Sequence, residues 1–131
     1  MKALIGILAL VCFVSLESKA QSLQPAKVHF LNLVAGTNAE VKTTFDEKKP
    51  ILLKARTWVV VQLVGDSLGL VVDGKSHTIH FESGKQYYFV IQTSYGSRPV
   101  MTEKSEREFV LTATINSVKG PEEYNQTKVI N

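Results

Sequence analysis

From Lys27 onward, apolar residues recur at alternate positions in a succession of short series. Val41, Thr43 and Phe45 form one, Leu68, Leu70 and Val72 another, and His77, Ile79 and Phe81 a third. Tyr87, Phe89 and Ile91, then Phe109, Leu111, Ala113 and Ile115, repeat the pattern. A period of two is the signature of a strand with one face in a core and the other in water. No window of a dozen residues carries the 3.6 period of a helix, so the pattern predicts an all-β domain. Trp58-Val59-Val60-Val61-Gln62-Leu63-Val64 is instead almost continuously apolar, which predicts a central strand covered on both sides.

Turn-forming residues fall between these series: Gly36-Thr37-Asn38, Asp46 to Pro50, Gly65-Asp66, Asp73-Gly74 and Ser83-Gly84-Lys85. Asp73-Gly74 is the most specific. It predicts a tight hairpin with positive φ at both central residues, pairing 68–72 with 76–82. Seven or eight short strands at intervals of about 8–12 residues predict an antiparallel, immunoglobulin-like β-sandwich, with a small barrel as the alternative. The polar segment Lys119–Lys128 opens with Gly120-Pro121 and is expected to leave the core, so 119–131 reads as a C-terminal tail.

The first twenty residues read differently. Lys2 precedes an apolar run from Ala3 to Val14, followed by polar residues and by small Ser18 and Ala20. This is the order of a secretory signal over 1–20, cleaved before Gln21, and the run is shorter than the roughly 20 apolar residues that span a bilayer. It implies a secreted or periplasmic protein whose β domain occupies 21–118. The sole cysteine, Cys12, lies within that leader, so the mature chain has no disulfide, thiol nucleophile or cysteine metal site. Val11 is not the small residue that lipid attachment at Cys12 requires. Fifteen basic against twelve acidic residues give a net charge of +3, no electrostatic footprint for nucleic acid.

Candidate chemistry is sparse. Gly65-Asp66-Ser67-Leu68-Gly69 matches the G-x-S-x-G nucleophile elbow and the Gly-Asp-Ser-Leu hydrolase signature. An elbow needs a helix after the serine, and Leu70-Val71-Val72 reads as strand. Esterase chemistry at Ser67 is therefore the minor alternative. His77 and His80, three apart on one strand, point to opposite faces and do not chelate a metal together. No cofactor is implied. The aromatic residues offer a better binding surface: Trp58, Tyr88 and His80 are the candidate ligand-binding residues, with Tyr88 on the open face of its strand and Tyr87, in phase with Phe89 and Ile91, in the core.

Val28-His29-Phe30, Thr57 to Val61, Val72-Asp73-Gly74 and Phe81 to Val90 with its Gly84-Lys85-Gln86-Tyr87-Tyr88 run follow one another in an order that resembles an uncharacterised family of small bacterial secreted or lipoprotein-like envelope domains. Gly65-Asp66 stands where those domains carry a Pro-Gly turn. The resemblance spans about Val28 to Ile115. It implies a β-sandwich of the transthyretin or carboxypeptidase-regulatory kind and carries no catalytic residues.

The combined expectation is a non-enzymatic binding or accessory module of the bacterial cell envelope, with an envelope protein, a glycan or a small molecule as partner. The alternative is a carrier for a small apolar ligand, should the sheets enclose a pocket. Self-association through an exposed strand edge is a further expectation, with Val28–Val34 and Phe109–Ile115 as the candidate edges.

Overall fold

The computed structural model describes residues 24–35, 39–42, 50–93 and 98–126. The expected signal over 1–20, the Gly36-Thr37-Asn38 turn, and Thr43 and Phe45 of the first series lie outside them. Nine strands and one helix are described, in the order β1 (Ala26–Asn32), β2 (Ala39–Lys42), β3 (Ile51–Leu53), β4 (Thr57–Leu63), β5 (Ser67–Val72), β6 (Lys75–His80), β7 (Gln86–Thr93), β8 (Pro99–Glu103), α1 (Glu106–Ile115) and β9 (Glu122–Gln126). They make a sandwich of two sheets, with strand orders β8-β7-β1-β4-β9 and β3-β2-β5-β6. The smaller sheet is wholly antiparallel, whereas the larger contains two parallel pairs, β1 with β7 and β4 with β9.

The main core lies between the sheets. Val28 and Phe30 of β1, Val59 and Val61 of β4, and Phe89 and Ile91 of β7 meet Val41, Leu68, Leu70, Val72 and Ile79 from the other sheet. One polar side chain is buried among them. The Asn32 amide donates to the Leu53 carbonyl at 2.7 Å and accepts from the Val34 N–H at 3.0 Å, tying β1 to β3 with its hydrogen-bonding capacity used on both sides.

The Asp73-Gly74 hairpin forms as the pattern predicts, with φ of 49° and 77° joining β5 to β6 in register Leu68↔Ile79 and Val72↔Lys75. The almost continuously apolar segment is β4, paired on both edges and packed on both faces.

Three expectations are corrected. Residues 106–115 form a helix, not a strand. Ser105 caps it: its side chain accepts from the Glu108 N–H at 3.3 Å while the Glu108 carboxylate accepts from the Ser105 N–H at 3.3 Å, a complete capping box. Phe109 and Ala113, four apart, are the buried pair, whereas Leu111 and Ile115 are 57% and 72% exposed, so the alternation that suggested a strand does not correspond to burial. The polar tail does not leave at Gly120, because 122–126 adds to β4 as a parallel edge strand with Tyr124 against the core. Finally, β1 is flanked by β4 and β7, and 109–115 is helical, so neither proposed segment offers a free strand edge. No helix among the described residues is long and apolar enough to cross a membrane.

Candidate functional site

Helix α1 covers the outer face of the larger sheet, and this creates a second, smaller core. Side chains of β1 alternate, so His29 and Leu31 point to the helix while Val28 and Phe30 point to the main core. The same alternation on β7 sends Tyr88 and Val90 to the helix side. Leu31, Tyr88, Val90, Phe109 and Ala113 are buried there, with Trp58, Leu33 and Val118 packed around them.

Tyr88 is thus not an open platform. It is only 8% exposed, because α1 lies over the face that the alternation left for solvent, whereas Tyr87 on the opposite face is half-buried against the main core. Tyr88 stacks on His29 at 4.4 Å between ring centroids and 20° between planes. Phe109 approaches Trp58 edge-on at 5.2 Å and packs against Tyr88 at 5.4 Å.

His29 is 9% exposed and fully engaged. Indole nitrogen is a donor only, so the Trp58 Nε1–H at 3.2 Å assigns Nδ1 as the acceptor and leaves the imidazole proton on Nε2, which donates to Gln86 Oε1 at 3.1 Å. The Tyr88 hydroxyl donates to the same oxygen at 3.0 Å. Burial lowers the His29 pKa below its ordinary value and keeps the ring neutral; the Gln86 bond opposes this, Lys27 reinforces it, and Glu106 and Glu123 oppose it. Burial raises the Tyr88 phenol above its ordinary value, with the Glu106 carboxylate adding to the effect.

The structure brings Trp58 and Tyr88 together and places His80 elsewhere. His80 is exposed on the outer face of the smaller sheet, opposite Ser67 in the β5–β6 register, and no hydrogen bond joins the two. Ser67 itself opens a strand, so the strand-to-helix turn of a nucleophile elbow does not form around it. No three His, Cys, Asp or Glu side chains converge as metal ligands among the described residues.

Trp58 also reaches a surface cleft of about 280 Å³, whose walls include Arg56, Thr57, Ser117, Lys119 and Glu122. Arg56 and Ser117 have φ of 54° and 56°, the left-handed region that most side chains avoid. Ser117 is there because α1 ends on a Schellman turn, the Val118 N–H donating to the Ala113 carbonyl at 2.9 Å. Arg56 is held by its N–H on the Asn32 carbonyl at 2.7 Å. Both turns direct side chains to the cleft, and among the described residues neither Arg56 nor Lys119 has an ion-pair partner. An indole at the wall, hydroxyl groups beside it and two cations against the single Glu122 carboxylate leave the cleft with a net positive lining, which suits a polar ligand with a ring face and negative charge.

His29, Gln86, Phe109 and the cationic pair are the site residues that pattern reading missed. The capping box Ser105-Glu106-Arg107-Glu108 was the available signal for Phe109. His29 and Gln86 gave none, because an isolated histidine and glutamine at strand positions have no spacing to read. Comparison with known protein families, curated proteins and solved structures finds no match for the chain.

Proposed function

We propose that the chain is exported and acts as a non-enzymatic binding module of the bacterial cell envelope, taking an acidic glycan in the Trp58 cleft. One observation carries the reading: the only tryptophan in the sequence is locked by His29 at the wall of a cleft that also presents Arg56 and Lys119. The sugar's apolar face lies on the indole and its carboxylate lies between the two cations. The leader pattern over 1–20 supports export, and the likeness to secreted envelope domains is consistent with it.

The single tryptophan is a built-in reporter. Titration of the mature protein with a soluble cell-wall fragment, N-acetylglucosaminyl-N-acetylmuramyl peptide, is expected to shift its fluorescence saturably, and Lys119→Glu to weaken the interaction tenfold or more. Absence of both a fluorescence change and a calorimetric signal at millimolar ligand overturns the glycan reading. Expression of the full chain in a bacterium tests export separately: the mature product is expected to begin at Gln21, and a product retaining Met1 in the cytoplasm refutes it. Background hydrolysis of a generic ester by both wild type and Ser67→Ala is expected; hydrolysis lost on that substitution contradicts the non-enzymatic assignment.

A further inference from the structure

The described sheets end on four strands, β8 and β9 of the larger and β3 and β6 of the smaller. An open edge carries backbone groups ready to pair with another chain, and proteins blunt it with proline, charge or brevity. β3 has three residues. β9 follows Pro121 and sets Glu122 beside Glu123. On β8 the Lys104 N–H donates to the Tyr88 carbonyl at 2.8 Å, in phase with the pairs Thr102↔Val90 and Val100↔Gln92. Those residues therefore turn their backbone groups to β7, and Pro99, Met101 and Glu103 turn theirs outward. Proline has no N–H, so its place on this edge removes a donor.

β6 carries none of these devices along its middle. The Phe81 N–H donates to the Asp66 carbonyl at 2.9 Å, which fixes the phase of the β5–β6 ladder. Hydrogen-bonded pairs in an antiparallel ladder recur at every second residue, so Ile79, His77 and Lys75 bond to β5. Ser76, Thr78 and His80 thus direct both N–H and carbonyl to the open edge, where no described strand pairs with them. Their side chains are exposed on the outer face of the smaller sheet. β8 does not close over this edge at its hairpin end, where a cleft of about 390 Å³ has Lys75 and His77 on one wall and Pro99 and Met101 on the other.

We propose that β6 is a dimer interface, pairing antiparallel with β6 of a second copy about a two-fold axis at Thr78. This register sets Thr78 opposite Thr78 and Ser76 opposite His80, so every outward N–H and carbonyl of one copy meets its complement on the other. Any other in-phase register places at least one of these residues opposite the Asp73-Gly74 turn or beyond the end of the strand. No like charges face each other: Lys75 comes opposite Phe81, and His77 opposite Ile79. The two four-stranded sheets become one continuous sheet, and because both copies use the same edge the assembly closes as a dimer. The interface shares no residue with the Trp58 cleft, so it stands or falls independently of the glycan reading.

Sedimentation equilibrium of the mature protein from micromolar to millimolar concentration tests this. A monomer–dimer equilibrium is expected, with no larger species. Thr78→Lys and Thr78→Glu each alter an exposed side chain and set like charges face to face at the axis. Each is expected to weaken the dimer tenfold or more while circular dichroism stays that of the wild type. An equimolar mixture of the two variants sets opposite charges at the same place and is expected to associate at least tenfold more tightly than either variant alone. A monomer at every concentration, a dissociation constant unchanged in both variants, a mixture no tighter than its components, or growth beyond a dimer each overturns the proposal.

Discussion

Acidification acts on His29, a buried ring bonded at both of its nitrogens. His29 is neutral in the folded protein because burial opposes its charge, and its Nδ1 is occupied as an acceptor for the Trp58 indole. Below the ordinary histidine value of about 6.5 the unfolded chain takes up a proton at this residue while the folded one resists. The unfolded state then binds more protons, so stability falls as pH falls. The contribution is fully present above the unfolded value and is lost as pH drops through the lowered folded value. For one proton the slope cannot exceed about 1.4 kcal/mol per pH unit. Protonation of Nδ1 also places a second N–H against the indole N–H, removing the bond that positions Trp58. Glu106 and Glu123 moderate the effect and Lys27 strengthens it. The assay is urea unfolding of wild type and His29→Gln between about pH 8 and pH 5. The difference is expected to be flat above about pH 6.5 and to decline below it, accompanied by movement of the Trp58 indole proton in nuclear magnetic resonance spectra. A difference that stays flat to the lowest pH, or a wild type that gains stability relative to His29→Gln on acidification, refutes the account.

Other substitutions probe the second core and its supports. Phe109→Ala removes a fully buried ring that touches His29, Trp58 and Tyr88, and is expected to cost about 3–5 kcal/mol by chemical denaturation. Ser105→Ala removes the acceptor for the Glu108 N–H and is expected to cost about 0.5–2 kcal/mol, with helix signal lost first in hydrogen exchange. Asn32→Ala leaves the Leu53 carbonyl and the Val34 N–H without their partner, at about 1–3 kcal/mol for each group, measured as a lower urea midpoint at unchanged slope. Ser117→Gly relieves a left-handed serine and is expected to raise stability by about 1 kcal/mol while weakening glycan binding, which separates the conformational cost of this position from its contribution to the cleft.

Where one face of a strand is wet, the sequence was readable. Thr78, His80 and Glu82 are exposed and Ile79 and Phe81 are buried, as alternation requires, and Asp73-Gly74 specified both the hairpin and its register. β9 was not readable, because a parallel edge strand of Glu122-Glu123-Tyr124-Asn125-Gln126 gains its stability from backbone pairing to β4, and polar residues are what such an edge carries. The Trp58 cleft depends on Arg56 and Ser117, which have left-handed backbones without the glycine that usually signals one.

The misreadings of 106–115 and of Tyr88 are one error. A strand with a core on each face retains its geometric alternation but loses its polar alternation, and β7 is such a strand over Tyr88 to Ile91. Choosing which of Tyr87 and Tyr88 is exposed therefore required knowing what covers the outer face of the sheet. Reading Phe109 to Ile115 as another strand removes the element that covers this face among the described residues and turns Tyr88 outward by default. Ser105-Glu106-Arg107-Glu108 ahead of Phe109 corrects both at once: a capped helix that buries Phe109 and Ala113 on one stripe needs an apolar surface to receive them, and His29, Leu31, Tyr88 and Val90 are the side chains that β1 and β7 present on that face. The conversion of Tyr88 from expected ligand platform to packed support leaves Trp58, half-buried at the border of that second core, as the aromatic residue of the pair that still reaches a cleft.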